Sequence, residues 1–163
     1  MARSKFRTDQ VGAGQVLQVV TSQYSAVNTG TGTIPLDDTV PQISEGSEFM
    51  TVTITPKSAT SRLLVEASFF GTHNGGVLDL AVAIFRDATA SALATDAATV
   101  AGTNYRVTIH IEVEDTANST TATTFRLRAG AVTAATTTFN GASGSRYYGA
   151  TVKSWIKVTE VAT

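Results

Sequence analysis

The chain has 163 residues, a formal net charge of −1, 42% hydrophobic and 15% charged residues, and no cysteine. The missing cysteine excludes disulfides, thiolate nucleophiles and thiolate metal sites. The near-zero charge excludes the basic balance that draws a whole chain to nucleic acid or an anionic membrane.

A domain of this length buries roughly 70% of the surface its unfolded chain exposes, enough for a core without staples. Threonine makes up about one residue in six, which suits pleated, half-buried surfaces. A charge-poor, Thr-rich surface is also buried between subunits at low desolvation cost.

Residues 1–10 carry Arg3, Lys5 and Arg7 with little apolar content. Residues 1–12 therefore read as a basic arm, either a frayed terminus or a peg that docks on a partner, with the folded domain at 13–163. The arm lacks the apolar run of a signal peptide, and no stretch approaches the ~18 apolar residues of a membrane span. The expectation is a product made in the cytoplasm without membrane insertion. After the Gly12 to Gly14 break, residues 15–20 form a first short strand.

Residues 21–48 are a Ser, Thr, Gly and Asp-rich connector in which Pro35 and Pro41 impose extended geometry. It is expected to cross a sheet surface. Asp37, Asp38, Glu45 and Glu48 match no cation-loop spacing and read as a solvated acidic turn. Residues 49–55 alternate until Pro56. Residues 61–70 align Leu63, Val65, Ala67 and Phe69, and residues 77–86 align Leu78, Leu80, Val82 and Ile84. With Gly75-Gly76 between them, these two strands read as a hairpin. Residues 87–102 are rich in alanine, which favours helix. Leu93 and Val100 are too few to form an amphipathic stripe, so a loop and a strand are predicted.

The clearest alternation lies in residues 105–130. Val107, Ile109, Ile111 and Val113 share one face of the first arm; Phe125, Leu127 and Ala129 share one face of the second. The arms read as a hairpin whose outward Glu112 and Glu114 face Arg126 and Arg128, worth about 0.2–1 kcal/mol per pair. The polar linker 115–123 reads as its exposed tip. A strand at 135–139, a turn at 140–145 and a closing strand over 146–161 follow, with Val152, Ile156 and Val158 usable as core and Trp155 on the opposite parity. The sum is an all-β, antiparallel β-sandwich of about eight to ten strands behind a short N-terminal arm.

Chemistry is sparse. His73 and His110 have no shared metal spacing, and Ser143 in Gly141-Ala142-Ser143-Gly144 is one residue off a nucleophile elbow and lacks its strand-to-helix context. No phosphate loop is present, and sequence alone brings no two of Asp87, Asp96, Glu112 and Asp115 into a glycosidase pair. The chain is expected not to be an enzyme and to need no cofactor or metal. Arg146, Tyr147, Tyr148 and Trp155 combine aromatic faces with a guanidinium and are candidate glycan contacts, with core or subunit packing as the alternative. On a strand, Tyr147 and Tyr148 point to opposite faces. Asn118 and Asn140, on the loops 116–123 and 140–145, complete the candidate set.

The runs Gly14-Gln15-Val16-Leu17-Gln18-Val19-Val20, Thr39-Val40-Pro41-Gln42, Ile54-Thr55-Pro56-Lys57-Ser58, Ala83-Ile84-Phe85-Arg86-Asp87, Phe125-Arg126-Leu127-Arg128-Ala129-Gly130 and Phe139-Asn140-Gly141 resemble the end domains of bacteriophage tail-fibre and related virion surface proteins. The resemblance implies a jelly-roll-like sandwich that assembles as a homotrimer on a virion. Its loops would meet a receptor, including host surface glycan. The alternative it implies is a capsid decoration or head-fibre protein gripping a capsid or tail component through Arg3, Lys5 and Arg7.

Overall fold

Two antiparallel sheets face each other across one core, and a computed structural model describes residues 12–163 of the chain. In chain order the strands are β1 (Val16–Tyr24), β2 (Asn28–Gly30), β3 (Ser47–Ile54), β4 (Arg62–His73), β5 (Val77–Arg86) and β6 (Ala94–Ala101). They are followed by β7 (Val107–Thr116), β8 (Thr123–Ala131), β9 (Thr137–Phe139), β10 (Gly141–Ala142), β11 (Ser145–Arg146) and β12 (Ser154–Val161). The larger sheet runs β1-β12-β4-β7; β9 pairs with Gly71–His73 at the end of β4 on the same edge as β12, and β2 lies beyond β9. The smaller runs β3-β8-β5-β6. Placing the long strands β1, β4, β7 and β12 in one sheet and β3, β5, β6 and β8 in the other gives a jelly-roll sandwich. The all-β expectation holds.

Alternation explains the core. Leu63, Val65, Ala67 and Phe69 of β4 and Ile156 and Val158 of β12 meet Val52, Leu80, Val82, Ile84, Phe125 and Leu127 of the other sheet. Burying each bulky side chain contributes about 1.5–3 kcal/mol. Phe49, Phe69 and Phe139 form an aromatic knot with ring centroids 5.3–5.7 Å apart. The Tyr24 hydroxyl ties the sheets by donating to Thr51 O at 2.6 Å. Residues 94–101 form strand β6, as expected for a stretch without an apolar stripe.

Both expected hairpins are corrected by the pairing. β7 pairs with β4, and β8 pairs with β3 and β5, so the two arms of 105–130 lie in opposite sheets. Glu114 bonds Arg62 instead of an arginine of β8, and Arg126 and Arg128 reach Glu48 and the Glu45 and Gly46 carbonyls. Strands β4 and β5 likewise part at the 74–76 turn, one into each sheet. Each turn is an arch between layers, which a jelly roll requires and local alternation does not encode.

The connector expected over 21–48 is shorter than read, because residues 21–24 continue β1, 28–30 form β2 and 47–48 open β3; the remaining 31–46 cross a sheet, the smaller one. Ile34 is buried there against Ala81, Ala83 and Phe85, joined by Ile43. Strand β5 is thus apolar on both faces, one toward the main core and one under the strap. The Arg128 guanidinium anchors the strap by donating to Glu45 O at 2.7 Å and Gly46 O at 2.8 Å. The acidic-turn reading holds for Asp37, which accepts bonds from the Thr39 hydroxyl and N–H that hold its carboxyl below the usual range; Glu45 instead accepts from Gln42 N–H, and Glu48 belongs to β3, where it pairs with Arg126 and Arg128. The arm residues Arg3, Lys5 and Arg7 lie outside the described residues.

Candidate functional site

The two sheets differ in what covers their outer faces. The smaller is strapped by its own connector; among the described residues no segment crosses the middle of the larger one. Its outward side chains form a lattice fixed by register. One row runs Val19, Thr159, Leu64, Glu114, the next Thr21, Lys157, Glu66, Glu112, and the third Gln23, Trp155, Ser68, His110. Phe70 and Thr108 extend it. Leu64, Phe70 and Trp155 are half-buried and Val19 is 53% exposed.

Two shallow grooves furrow this face, one of about 460 Å³ along Leu64, Glu66, Glu112 and Glu114, the other of about 250 Å³ between Trp155 and His110. The Lys157 ammonium pairs with Glu66 at 2.7 Å and lies 5.7 Å from the centre of the Trp155 ring. Glu112 has no ion pair among the described residues. The β1–β12 half is nearly uncharged; the β7 half carries Glu112, Glu114 and His110.

The second surface is one end of the sandwich, where β1, β4, β6 and β8 finish and β5, β7 and β12 begin. Its loops, residues 25–27, 74–76, 102–106, 132–136 and 140–153, contain no aspartate or glutamate but hold Arg106, Arg146 and Lys153. The opposite end has Asp87 and Asp115 engaging Arg86. Here β10 and β11 fold back as a flap whose turn uses positive φ at Ser143 (50°) and Gly144 (73°). A short left-handed 3₁₀ turn follows, with φ of 49° at Tyr148, 60° at Gly149 and 69° at Ala150. For residues with a Cβ this geometry costs about 1–2 kcal/mol each.

The turn brings the Tyr147 and Tyr148 rings to 6.1 Å, side by side, which corrects the expectation that they point apart. Arg106 lies over the Tyr147 ring at 5.3 Å, and Tyr148 is 73% exposed. A groove of about 440 Å³ runs along Ser25, Ala26, Val27, Arg146 and Ala150. Another of about 370 Å³ is bordered by Thr29, Asn74, Asn104 and Ser143, and Gly144 forms a wall of both.

The remaining candidates scatter. Trp155 lies on the sheet face, and Asn118 lies at the end far from Arg146, its N–H bonded to Ala59 O. Asn140 is 1% exposed and is no surface contact: its amide donates to Tyr24 O and Ala26 O and accepts from the Ser154 hydroxyl at 2.8 Å. A turn signal reads the same whether the turn is solvated or folded inward. His73 is fully buried, its Nδ1 accepting from Gly75 N–H while Nε2 faces Leu78 O. No group of three His, Asp or Glu suited to a metal occurs among the described residues. Sequence reasoning missed Leu64, Phe70 and Arg106. The doubled Leu63-Leu64 and Phe69-Phe70 pairs were the available signal, because an alternating strand with apolar residues on its second face has a second surface to cover.

No curated protein matches the sequence. Among solved structures, Eiger TNF from S. frugiperda aligns over 88% of this chain and 93% of its own, with TM-score 0.49 and 11% identity. Dimeric latent PorU from Porphyromonas gingivalis covers 93% of this chain and 13% of its own, with TM-score 0.41 and 9% identity. The VP2 subviral particle of infectious bursal disease virus covers 100% and 42%, with TM-score 0.35 and 14% identity. Likenesses this weak carry no argument about function.

The sequence match is of another kind: the family model of the Pgp3 C-terminal domain matches residues 32–163. It overturns the resemblance to bacteriophage tail-fibre and virion surface proteins, and with it the fibre, capsid-decoration and virion expectations. Those short runs are strand-and-turn patterns that many sandwiches share. The chain belongs to the family of the Pgp3 C-terminal domain.

Proposed function

We propose that the domain is a non-enzymatic assembly module that forms a homotrimer through the outer face of its larger sheet. The observation that carries this reading is the contrast between the two sheets. The smaller sheet's second apolar face is covered by residues 31–46, whereas the larger sheet presents Val19, Leu64, Phe70 and Trp155 with no cover from the described chain. A second copy supplies that cover. The β1–β12 half, whose one charge is Lys157, differs from the acidic half on β7, which suits a head-to-tail contact between unlike surfaces, and the smallest ring that such a contact closes is a trimer. The non-enzymatic reading is supported by the histidines: His73 is bonded into its own turn, and His110, across from Ser68 on the sheet face, makes no hydrogen bond to that hydroxyl among the described residues.

Light scattering on the full chain tests the proposal. The expected mass is three times 17.0 kDa. The Leu64→Glu, Trp155→Glu double variant is expected to run as a folded monomer, with unchanged far-UV circular dichroism. A wild-type monomer, or a double variant that keeps the wild-type mass, overturns the reading.

A further inference from the structure

We propose that the carboxylate-poor end of the sandwich is a binding site for an acidic saccharide, centred on Arg146, Tyr148 and the Arg106–Tyr147 stack. Four observations converge there. The five loops of this end carry three cations and no acid, against one carboxylate, Asp79, two residues inside β5 beside Val132, so the loops present a net positive surface to an anion. Arg146 has no ion pair among the described residues and borders an open groove, leaving its planar fork available to a carboxylate or sulfate. Tyr148 is 73% exposed at the head of a turn with three successive positive φ values, a costly backbone that persists where its surroundings enforce it. That turn sets the Tyr148 ring beside Tyr147 at an interplanar angle of 45°, forming an angled platform.

The grooves on either side of Gly144 decide the class of ligand. They are shallow and lined by small hydroxyl and amide side chains, Ser25 on one side and Thr29, Asn74, Asn104 and Ser143 on the other. Such groups pair with ring hydroxyls while a sugar's apolar face lies on a tyrosine. Neither groove is a deep apolar pocket of the kind that anchors a peptide side chain. Arg106, already held over Tyr147, adds charge without extra ordering cost.

The test titrates the full chain with hyaluronan, whose repeat carries a carboxylate, with neutral dextran, and with poly-L-glutamate as the acidic-peptide alternative. Hyaluronan is expected to bind, dextran to give no signal, and polyglutamate to bind at least about tenfold more weakly. Arg146→Ala is expected to weaken hyaluronan binding about tenfold and Tyr148→Ala about fivefold. Tyr148→Phe keeps the ring and is expected to bind as wild type. Lys57→Ala, which removes a cation at the opposite end, is expected to change nothing. Melting temperatures within error of wild type show that each variant is folded. Absence of hyaluronan binding, equal binding of polyglutamate, or equal loss in Lys57→Ala overturns the proposal.

Discussion

Asn140 combines a left-handed backbone, with φ of 55°, and a buried amide that closes three hydrogen bonds joining β1, β9 and β12. Asparagine tolerates this conformation and fills these bonds together, so the position is a structural hub. Asn140→Ala leaves the part-buried Tyr24 and Ala26 carbonyls and the buried Ser154 hydroxyl short of a partner. It is expected to destabilise the domain by about 2–4 kcal/mol in urea unfolding. Asn118 has φ of 60° but is exposed, and Asn118→Ala is expected to cost about 1 kcal/mol. Glu160 is the other buried polar anchor, fully covered yet charged. Burial pushes its carboxyl up, but the Gln18 amide and the Lys57 and Ser58 N–H groups outweigh this and hold it below the usual glutamate range. A lowered folded value means that the ionised form stabilises the native state. That contribution is complete above the unfolded value and disappears as pH falls through the folded one. Wild-type stability is therefore expected to decline below about pH 4.5 more steeply than that of Glu160→Gln, which loses about 1–3 kcal/mol at neutral pH.

At the scale of elements, strand existence was legible and strand partnership was not. Alternation in β3, β4, β5, β7 and β8 is local, and each formed close to where its pattern lay, whereas of the closing strand read over 146–161 only Ser154–Val161 formed, the rest folding into the flap and the 3₁₀ turn. Pairing depends on which charges and apolar rows meet across the sandwich. Glu112 and Glu114 complement Arg126 and Arg128 in sequence as well as Arg62 does in space, so cross-strand charge logic had no unique answer. The same limit hid the strap, because Ile34 and Ile43 look isolated until Ala81, Ala83 and Phe85 are seen to need them. The strap's docking depends on a missing side chain: a Cβ at Gly130 would run into Gly32 O. Gly130→Ala is accordingly expected to lift residues 31–46 from the sheet. Limited proteolysis should then cut within that segment while the wild type resists, and uncut Gly130→Ala protein would show that the strap shifts without detaching.

For the whole molecule, the arrangement of surfaces sets what would hold copies together in the proposed trimer. The candidate interface is a sheet face, and the candidate ligand end lies at the tips of the same strands, so assembly through the face leaves the end loops open. The face's own charges are largely satisfied within one chain, Lys157 with Glu66 and Arg62 with Glu114, which leaves apolar and threonine surface as the adhesive. Raising ionic strength from 0.1 to 1 M shortens the screening length from about 10 to about 3 Å, which weakens exposed ion pairs and leaves apolar burial intact. The trimer mass is therefore expected to persist in 1 M NaCl. Trp155, the single tryptophan, reports on the same face directly. Half-buried in one copy, it becomes fully covered on assembly, so its emission should shift to the red on dilution to the dissociated state and stay fixed across the salt series. A trimer that separates at 1 M NaCl with a red shift of Trp155 would place ion pairs, with Glu112 foremost, at the contact in place of Leu64 and Trp155. A trimer that separates on dilution with no shift would move the contact off this face altogether.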